Sequence, residues 1–94
     1  MTTVLIKHPV QDYTIWKAAF DNFSDTRKAA GEKSYHIYRT IRDQNKIVVV
    51  FEWDNVDKAL AFLQSQELRT AMQQAGVTGQ PDITVMESAA QGDT

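Results

Sequence analysis

The segment Lys46–Trp53 (KIVVVFEW) constrains the fold more than any other part of this 94-residue chain. Its β-branched and aromatic residues are typical of a β-strand, in which alternate side chains point to opposite faces of a sheet. One face receives four apolar side chains, those of Ile47, Val49, Phe51 and Trp53. The other face receives Val48 and Val50, and only Glu52 interrupts it. Such a strand is expected inside a sheet that is covered on both sides.

Strands and helices are predicted to alternate in the order β-α-β-β-α-β. The four predicted strands are Thr3–His8, Lys33–Arg42, Lys46–Trp53 and Asp82–Glu87. Apolar residues at helical spacing predict two helices, over residues 12–30 and 55–75. This order is that of an α+β, ferredoxin-like fold, a four-stranded antiparallel sheet with two helices on one face. We expect a single domain over residues 1–88 and a flexible tail over residues 89–94.

Local signals fix the expected ends of the two helices. Asp12 is a plausible N-cap for the first helix, and either Asp54 or Asn55 for the second, because their side chains accept from free helical N–H groups. Gly31 is expected to end the first helix, since glycine adopts the left-handed conformation that often follows a helix. The second helix is predicted to bend near Ser65.

Two helices are enough to cover only one face of the predicted sheet. The first three strands nevertheless carry apolar residues on both faces. The simplest cover for the second face is the same face of another copy, related by a two-fold axis. We therefore predict a homodimer through the sheet. The alternative is a central strand partly covered by long polar side chains of the same chain.

The composition excludes several kinds of function. Ten Lys and Arg residues against twelve Asp and Glu give a net charge of −2, which argues against nucleic-acid and anionic-membrane partners. The absence of cysteine removes disulfides and the usual zinc sites, and two histidines without a carboxylate cluster make a weak metal site. No glycine-rich phosphate loop is present to bind a nucleotide cofactor. Together with the weak metal site, this predicts no metal and no cofactor. A cytoplasmic protein is the default expectation.

The hairpin register predicts which side chains form a ligand pocket. A turn over residues 43–46 would place Tyr38 opposite Phe51 and His36 opposite Trp53. We assign this aromatic face to the helix side, where it suits a flat, mostly apolar ligand. The predicted ligand-binding residues are Trp16, Phe20, Phe51, Trp53, Leu63 and Met72. The alternative is a filled core in which His36 and Tyr38 satisfy backbone groups.

Proton transfer near neutral pH depends on the two histidines of the chain. His36, His8 and Tyr38 are the predicted catalytic residues, because a His beside a Tyr can move a proton on a carbon next to a carbonyl. Elsewhere in the sheet, Arg39 and Glu52 lie among Ile and Val residues and are predicted to form a structural ion pair at the dimer interface. The alternative for Arg39 is an anion clamp.

Several segments resemble the dimeric α/β-barrel superfamily, which includes antibiotic-biosynthesis-monooxygenase-like and small polyketide-cyclase-like proteins. The likeness covers about residues 3–87 and rests on the strand order together with four segments: Tyr13–Lys17, Tyr38–Arg39, Phe51–Trp53 and Leu68–Met72. The resemblance implies a homodimer with a pocket between helices and sheet in each protomer. A cyclase of similar fold uses a His/Tyr pair, and His8 matches its first-strand histidine in position.

Two functions remain open at this point. The first is a cofactor-independent enzyme or binder of the cyclase/monooxygenase-like group that acts on a flat, apolar carbonyl compound. The second is a non-catalytic ligand-binding or stress-associated homodimer. The oxygenases of the superfamily use an Asn, Trp, Tyr and Arg set, and this sequence has no Asn in a predicted strand or on an inward helix face. A void above ~300 Å³ lined by the predicted pocket residues would favour the first function, and a closed core would favour the second.

Overall fold

A computed structural model describes residues 1–94 and shows one antiparallel sheet with four helices. Along the chain the elements are β1 (Thr2–Pro9), α1 (Tyr13–Asn22), α2 (Ser24–Ala30), β2 (Glu32–Arg39), β3 (Lys46–Trp53), α3 (Val56–Leu63), α4 (Gln66–Gln74) and β4 (Asp82–Glu87). The strands lie in the order β2-β3-β1-β4, and all neighbours are antiparallel. The predicted α+β, ferredoxin-like arrangement is therefore confirmed.

Each of the two predicted helices is divided into two shorter ones. The hydroxyl of Ser65 accepts from the N–H of Leu68 at 3.2 Å and so starts α4, which confirms the bend predicted there. The break at Phe23, between α1 and α2, was not predicted. The expected caps are present, since Asp12 accepts from Ile15 N–H and Asn55 accepts from Lys58 N–H.

The predicted register of the β2–β3 hairpin is wrong by three residues. Tyr38 lies opposite Val48 and Tyr35 opposite Phe51. The Thr40 N–H donates to the carbonyl of Lys46 at 3.0 Å, and the residues between these two form a hydrogen-bonded loop. In this loop the Thr40 hydroxyl donates to the carbonyl of Asp43 at 2.6 Å, and the Asp43 carboxylate accepts from Asn45 N–H at 3.0 Å. An odd shift moves every side chain of β2 to the opposite face.

The inner face of the sheet, the face toward the helices, carries the core. Its fully covered residues alternate along the two central strands: Val4, Ile6 and His8 in β1, and Ile47, Val49, Phe51 and Trp53 in β3. The helices complete the core with Trp16, Phe20, Ala59, Phe62, Leu68 and Ala75. The odd-numbered residues of β3 thus face the helices, as the sequence indicated.

No helix covers the outer face of the sheet. Its apolar side chains are half-buried rather than buried: Leu5, Val48, Val50 and Met86. Tyr38 also lies on this face and is 49% exposed. The sequence predicted that one apolar face of the sheet has no helical cover, and the single chain has such a face.

Candidate functional site

A cavity of about 60 Å³ lies between the helices and the inner face of the sheet. Of its fourteen lining residues, twelve are hydrophobic. The sheet contributes Ile6, His8, Val49 and Phe51. The helices and their cap residues contribute Trp16, Ala19, Phe20, Phe23, Arg27, Phe62, Leu68, Ala71, Met72 and Ala75. A mostly apolar wall with a few polar groups is the usual character of a small-molecule site. Here the two polar groups are His8 and Arg27.

A row of planar side chains connects these two polar groups along the cavity wall. The ring of His8 meets Trp16 edge-on at a centroid distance of 5.6 Å. Trp16 and Phe20, one turn apart on α1, follow at 5.1 Å. The guanidinium carbon of Arg27 lies 3.6 Å from the centroid of the Phe20 ring. The wall therefore offers flat surfaces against which a planar ligand can stack.

His8 occupies an inward position of β1 and is only 4% exposed. Its Nδ1 atom is buried and has no hydrogen-bond partner. Burial lowers the pKa of His8 from its ordinary value of 6.5, because removing the ring from water disfavours the charged form. The imidazole is therefore neutral at pH 7, the state in which one ring nitrogen accepts a proton and the other donates one.

Arg27 is buried at 3% exposure on α2, and Glu32 at 9% begins β2. The Nε of Arg27 donates to the Glu32 carboxylate at 2.8 Å, and its Nη1 donates to the carbonyl of Phe20. Its Nη2 is buried without a partner. Burial raises the pKa of Glu32, and the charge and hydrogen bond of Arg27 act in the opposite direction. The ion pair thus leaves one guanidinium nitrogen without a partner in a residue that lines the cavity.

Gly31 makes the close placement of this pair possible. It ends α2 with φ at 128°, a conformation that side chains other than glycine rarely adopt. A Cβ at this position would also come within 3.1 Å of the Lys58 side chain. The tight turn brings the last residues of α2 and the first residue of β2 together, and so brings Glu32 against Arg27.

The Arg27–Glu32 pair was missed by sequence reasoning, although a signal for Arg27 was present. Trp16, Phe20, Phe23 and Arg27 are spaced by four, three and four residues, so Arg27 continues the apolar stripe of the helix. A charged residue on such a stripe requires a buried partner. That requirement pointed to an acidic residue nearby, and Glu32 follows directly after the helix stop.

The model of the family described as antibiotic biosynthesis monooxygenase matches residues 13–74, about two thirds of the chain. This chain belongs to the antibiotic biosynthesis monooxygenase family. The stretch includes the helices that line the cavity and the whole β2–β3 hairpin. The resemblance drawn from the sequence is thereby confirmed. No curated protein matches the chain.

Solved structures of similar fold cover nearly the whole length of this family member. A Bordetella bronchiseptica protein, provisionally named an antibiotic biosynthesis monooxygenase, is 16% identical with a TM-score of 0.80, covering 95% of this chain and 97% of its own. SnoaB, a cofactor-independent oxygenase from Streptomyces nogalater, is 13% identical with a TM-score of 0.77, covering 96% and 94%. A conserved Methanosarcina mazei protein is 13% identical with a TM-score of 0.70, covering 90% and 89%. At these identities the likeness establishes the fold.

The structure places most, but not all, of the predicted ligand-binding residues of this monooxygenase-family chain around the cavity. Four of them line it: Trp16, Phe20, Phe51 and Met72. Trp53 is buried elsewhere in the core, where it packs on Phe62 at 5.0 Å between ring centroids. Leu63 is half-buried and does not line the cavity. Of the three predicted catalytic residues, only His8 lies at the cavity.

The predicted location of His36 and Tyr38 in the pocket is wrong. Both side chains are exposed on the outer face, where their rings stack at a centroid distance of 4.3 Å. The reason is the three-residue error in register, which exchanged the two faces of β2. Tyr35 faces the helices instead, with its ring 4.9 Å from that of Phe20.

The predicted ion pair between Arg39 and Glu52 is also wrong, for the same reason. The corrected register places the two residues on opposite faces of the sheet. Glu52 instead accepts from the hydroxyl of Thr3 at 2.8 Å. The Nε of Arg39 donates to the carbonyl of Gln44 at 2.9 Å, and its guanidinium carbon lies 4.2 Å from the Tyr13 ring centroid.

Two further features bear on what the fold can bind. No group of three or more His, Cys, Asp or Glu side chains is placed to hold a metal ion. The longest helix, α1, has ten residues, about half of the ~20 that a bilayer requires, and no helix is a candidate for a membrane span.

Proposed function

We propose that this chain is a cofactor-independent enzyme that acts on a small, flat, mostly apolar carbonyl compound in the cavity, with His8 as the proton-transfer group. The observation that carries the proposal is the buried, unpartnered Nδ1 of His8, one of two polar residues on a mostly apolar cavity wall. Buried polar groups normally have partners, so an unpaired one at a cavity is a candidate for contact with a ligand.

The chemistry follows from a neutral imidazole beside an apolar cavity. Removing a proton from a carbon next to a carbonyl leaves an enolate, which either attacks a second carbonyl in the same molecule or gives an electron to dioxygen. Neither route requires a cofactor. SnoaB, a protein of similar fold, is described as a cofactor-independent oxygenase, and that description supports the second route here.

The size of the cavity favours a second candidate, a non-catalytic ligand-binding homodimer. A volume of about 60 Å³ is below the ~150 Å³ that holds benzene in an engineered cavity. A one-ring ligand therefore requires side chains to move. Met72, which is half-buried and lines the cavity, is the most adaptable of them because its thioether chain has three rotatable bonds.

The proposed partner is a second copy of the chain, packed through the outer face of the sheet. The support is the half-buried apolar surface of Leu5, Val48, Val50 and Met86 on a face that no helix covers. The exposed Tyr38 ring extends that surface toward the β2 edge. Packing two such faces together would bury them in a symmetric interface.

Deuterium exchange into acetophenone tests the role of His8. Acetophenone is a one-ring ketone whose methyl hydrogens exchange through the enolate, and their loss in D₂O is followed by proton NMR. We expect the protein to accelerate exchange above buffer and His8→Gln to reduce the acceleration by about 100-fold or more, as for loss of a general base. His36→Gln is the matched control and should exchange like the wild type.

The same experiment separates the two candidate functions. Chemical-shift changes on addition of acetophenone, without faster exchange, would favour the non-catalytic binder. Equal acceleration by the wild type and His8→Gln would exclude His8 as the base.

A further inference from the structure

Arg27 is the second polar group at the cavity, and its hydrogen bonds leave one nitrogen free. Its Nε is committed to Glu32 and its Nη1 to the carbonyl of Phe20. Its Nη2 carries two hydrogens, is enclosed by the protein and has no acceptor. A buried donor without an acceptor is unfavourable, so an oxygen that reached this nitrogen from the cavity would gain a hydrogen bond.

The charge around Arg27 restricts what that oxygen can be. The guanidinium charge is already balanced by the Glu32 carboxylate at 2.8 Å. A second carboxylate beside the pair would leave a net negative charge in a site lined by apolar side chains, which is strongly unfavourable. A neutral carbonyl oxygen accepts the Nη2 hydrogen bond without adding charge.

We propose that Arg27 binds the carbonyl oxygen of the ligand through Nη2, and that the Arg27–Glu32 pair makes the cavity select a neutral carbonyl compound over a carboxylate of the same size. The inference rests on the proposed use of the cavity as a ligand site, but it does not depend on proton transfer by His8. Phe20 also lines the cavity, and its ring lies 3.6 Å from the guanidinium carbon, a contact that helps to hold Arg27 in place.

The test compares the binding of acetophenone and benzoate, which have equal numbers of non-hydrogen atoms, by NMR titration at pH 7. The wild type should bind acetophenone and show weaker binding of benzoate. Arg27→Lys keeps a positive charge beside Glu32 but removes Nη2, and we expect it to bind acetophenone about 10- to 100-fold more weakly, as for loss of a hydrogen bond from a charged donor. Arg42→Lys, at an exposed position of the β2–β3 loop, is the matched control.

Glu32→Gln gives a second and opposite readout. It keeps the size and an oxygen acceptor but removes the balancing charge, so the preference should shift toward benzoate. This variant decides the inference if Arg27→Lys does not fold.

The remaining outcomes separate the role of Arg27 from the proposed function of the cavity. Unchanged acetophenone binding by Arg27→Lys, or unchanged preference in Glu32→Gln, contradicts the role of Arg27 and leaves the proposed cavity function standing. Failure of the wild type to bind acetophenone removes both. Arg27→Lys could lose acetophenone binding while His8→Gln, saturated with acetophenone, exchanges deuterium at the wild-type rate. That result would support Arg27 as the carbonyl-binding group and reject His8 as the base.

Discussion

The two faces of the sheet are built from alternate residues of the same strands, yet they have different surroundings. In β3, Val49 is 1% exposed beneath the helices, whereas its neighbours Val48 and Val50 are half-buried on a face without a helix. Both sets are valines, so hydrophobicity alone does not distinguish them. The difference teaches that burial beneath the helices, rather than residue type, determines how much each valine contributes to the stability of the single chain.

The faces also differ in how they hold charge. Beneath the helices, Arg27 and Glu32 form a buried pair beside the cavity. On the outer face, Glu52 lies half-buried and accepts from the hydroxyl of Thr3. A buried pair is weak evidence for added stability, but removal of one partner is strongly destabilising because it leaves the other charge uncompensated. The inner face is therefore the more sensitive to charge changes.

The largest effect is expected from Arg27→Met, which leaves Glu32 buried without its cation. The free energy of unfolding should fall by about 3–5 kcal/mol, measured by urea denaturation. Arg27→Met combined with Glu32→Met should recover most of this loss. Lys17→Met, which breaks an exposed pair with Asp21 on α1, is the control and should change stability little. Equal losses of unfolding free energy in Arg27→Met and Lys17→Met would refute the contrast between buried and exposed pairs.

The next effect concerns the outer face. Val50→Asp would bring two unpaired carboxylates into the proposed two-fold interface, and the dissociation constant of the dimer should rise about 100-fold, or about 3 kcal/mol. Light scattering across a dilution series measures this. A wild type that is monomeric at micromolar concentration would contradict the dimer itself.

A matched pair of alanine variants compares the two faces within one strand. Val49→Ala should lower the free energy of unfolding by about 2 kcal/mol, since it removes buried methyl groups and leaves a cavity. Val50→Ala should have a smaller effect in dilute samples, and its effect should grow with protein concentration if the outer face is buried in a dimer. Urea unfolding at two protein concentrations distinguishes these results. Identical losses at both concentrations would count against the dimer.

The smallest effect is a dependence of stability on pH. Since burial lowers the pKa of His8, the unfolded chain binds a proton before the native chain does as the pH falls below about 6.5. The free energy of unfolding should therefore decrease between that pH and the lowered native pKa, by at most about 1.4 kcal/mol per pH unit. His8→Gln should remove this component, and His36→Gln, which changes the exposed histidine of the outer face, should keep it.

Glu32 acts in the opposite direction within the same experiment. Its raised pKa means that the native chain takes up a proton first as the pH falls toward that value, which favours folding. The difference between the wild type and His8→Gln isolates the contribution of His8. If the unfolding free energies of the wild type and His8→Gln change with pH in parallel from pH 7 to pH 5, the burial of His8 has no effect on its proton affinity.

The sequence was sufficient for the order of elements, the two faces of β3 and the caps at Asp12 and Asn55, because each depends on local spacing or on one side chain. The β2 register was not accessible in this way. It depends on hydrogen bonds of Thr40 and Asp43 within the hairpin loop, and an error of three residues moved His36 and Tyr38 to the wrong face. Arg27 was missed because its partner, Glu32, lies beyond the helix stop.

The break at Ser65 has a consequence for how the cavity opens. It separates α4 as a nine-residue helix, shorter than the ~12–15 residues at which an isolated helix becomes even marginally stable in water. One side of α4 lines the cavity through Leu68, Ala71 and Met72. Local undocking of this short helix would admit a ligand while the β-ladder stays intact. Its backbone amides should accordingly exchange with solvent deuterium faster than those of β1 and β3.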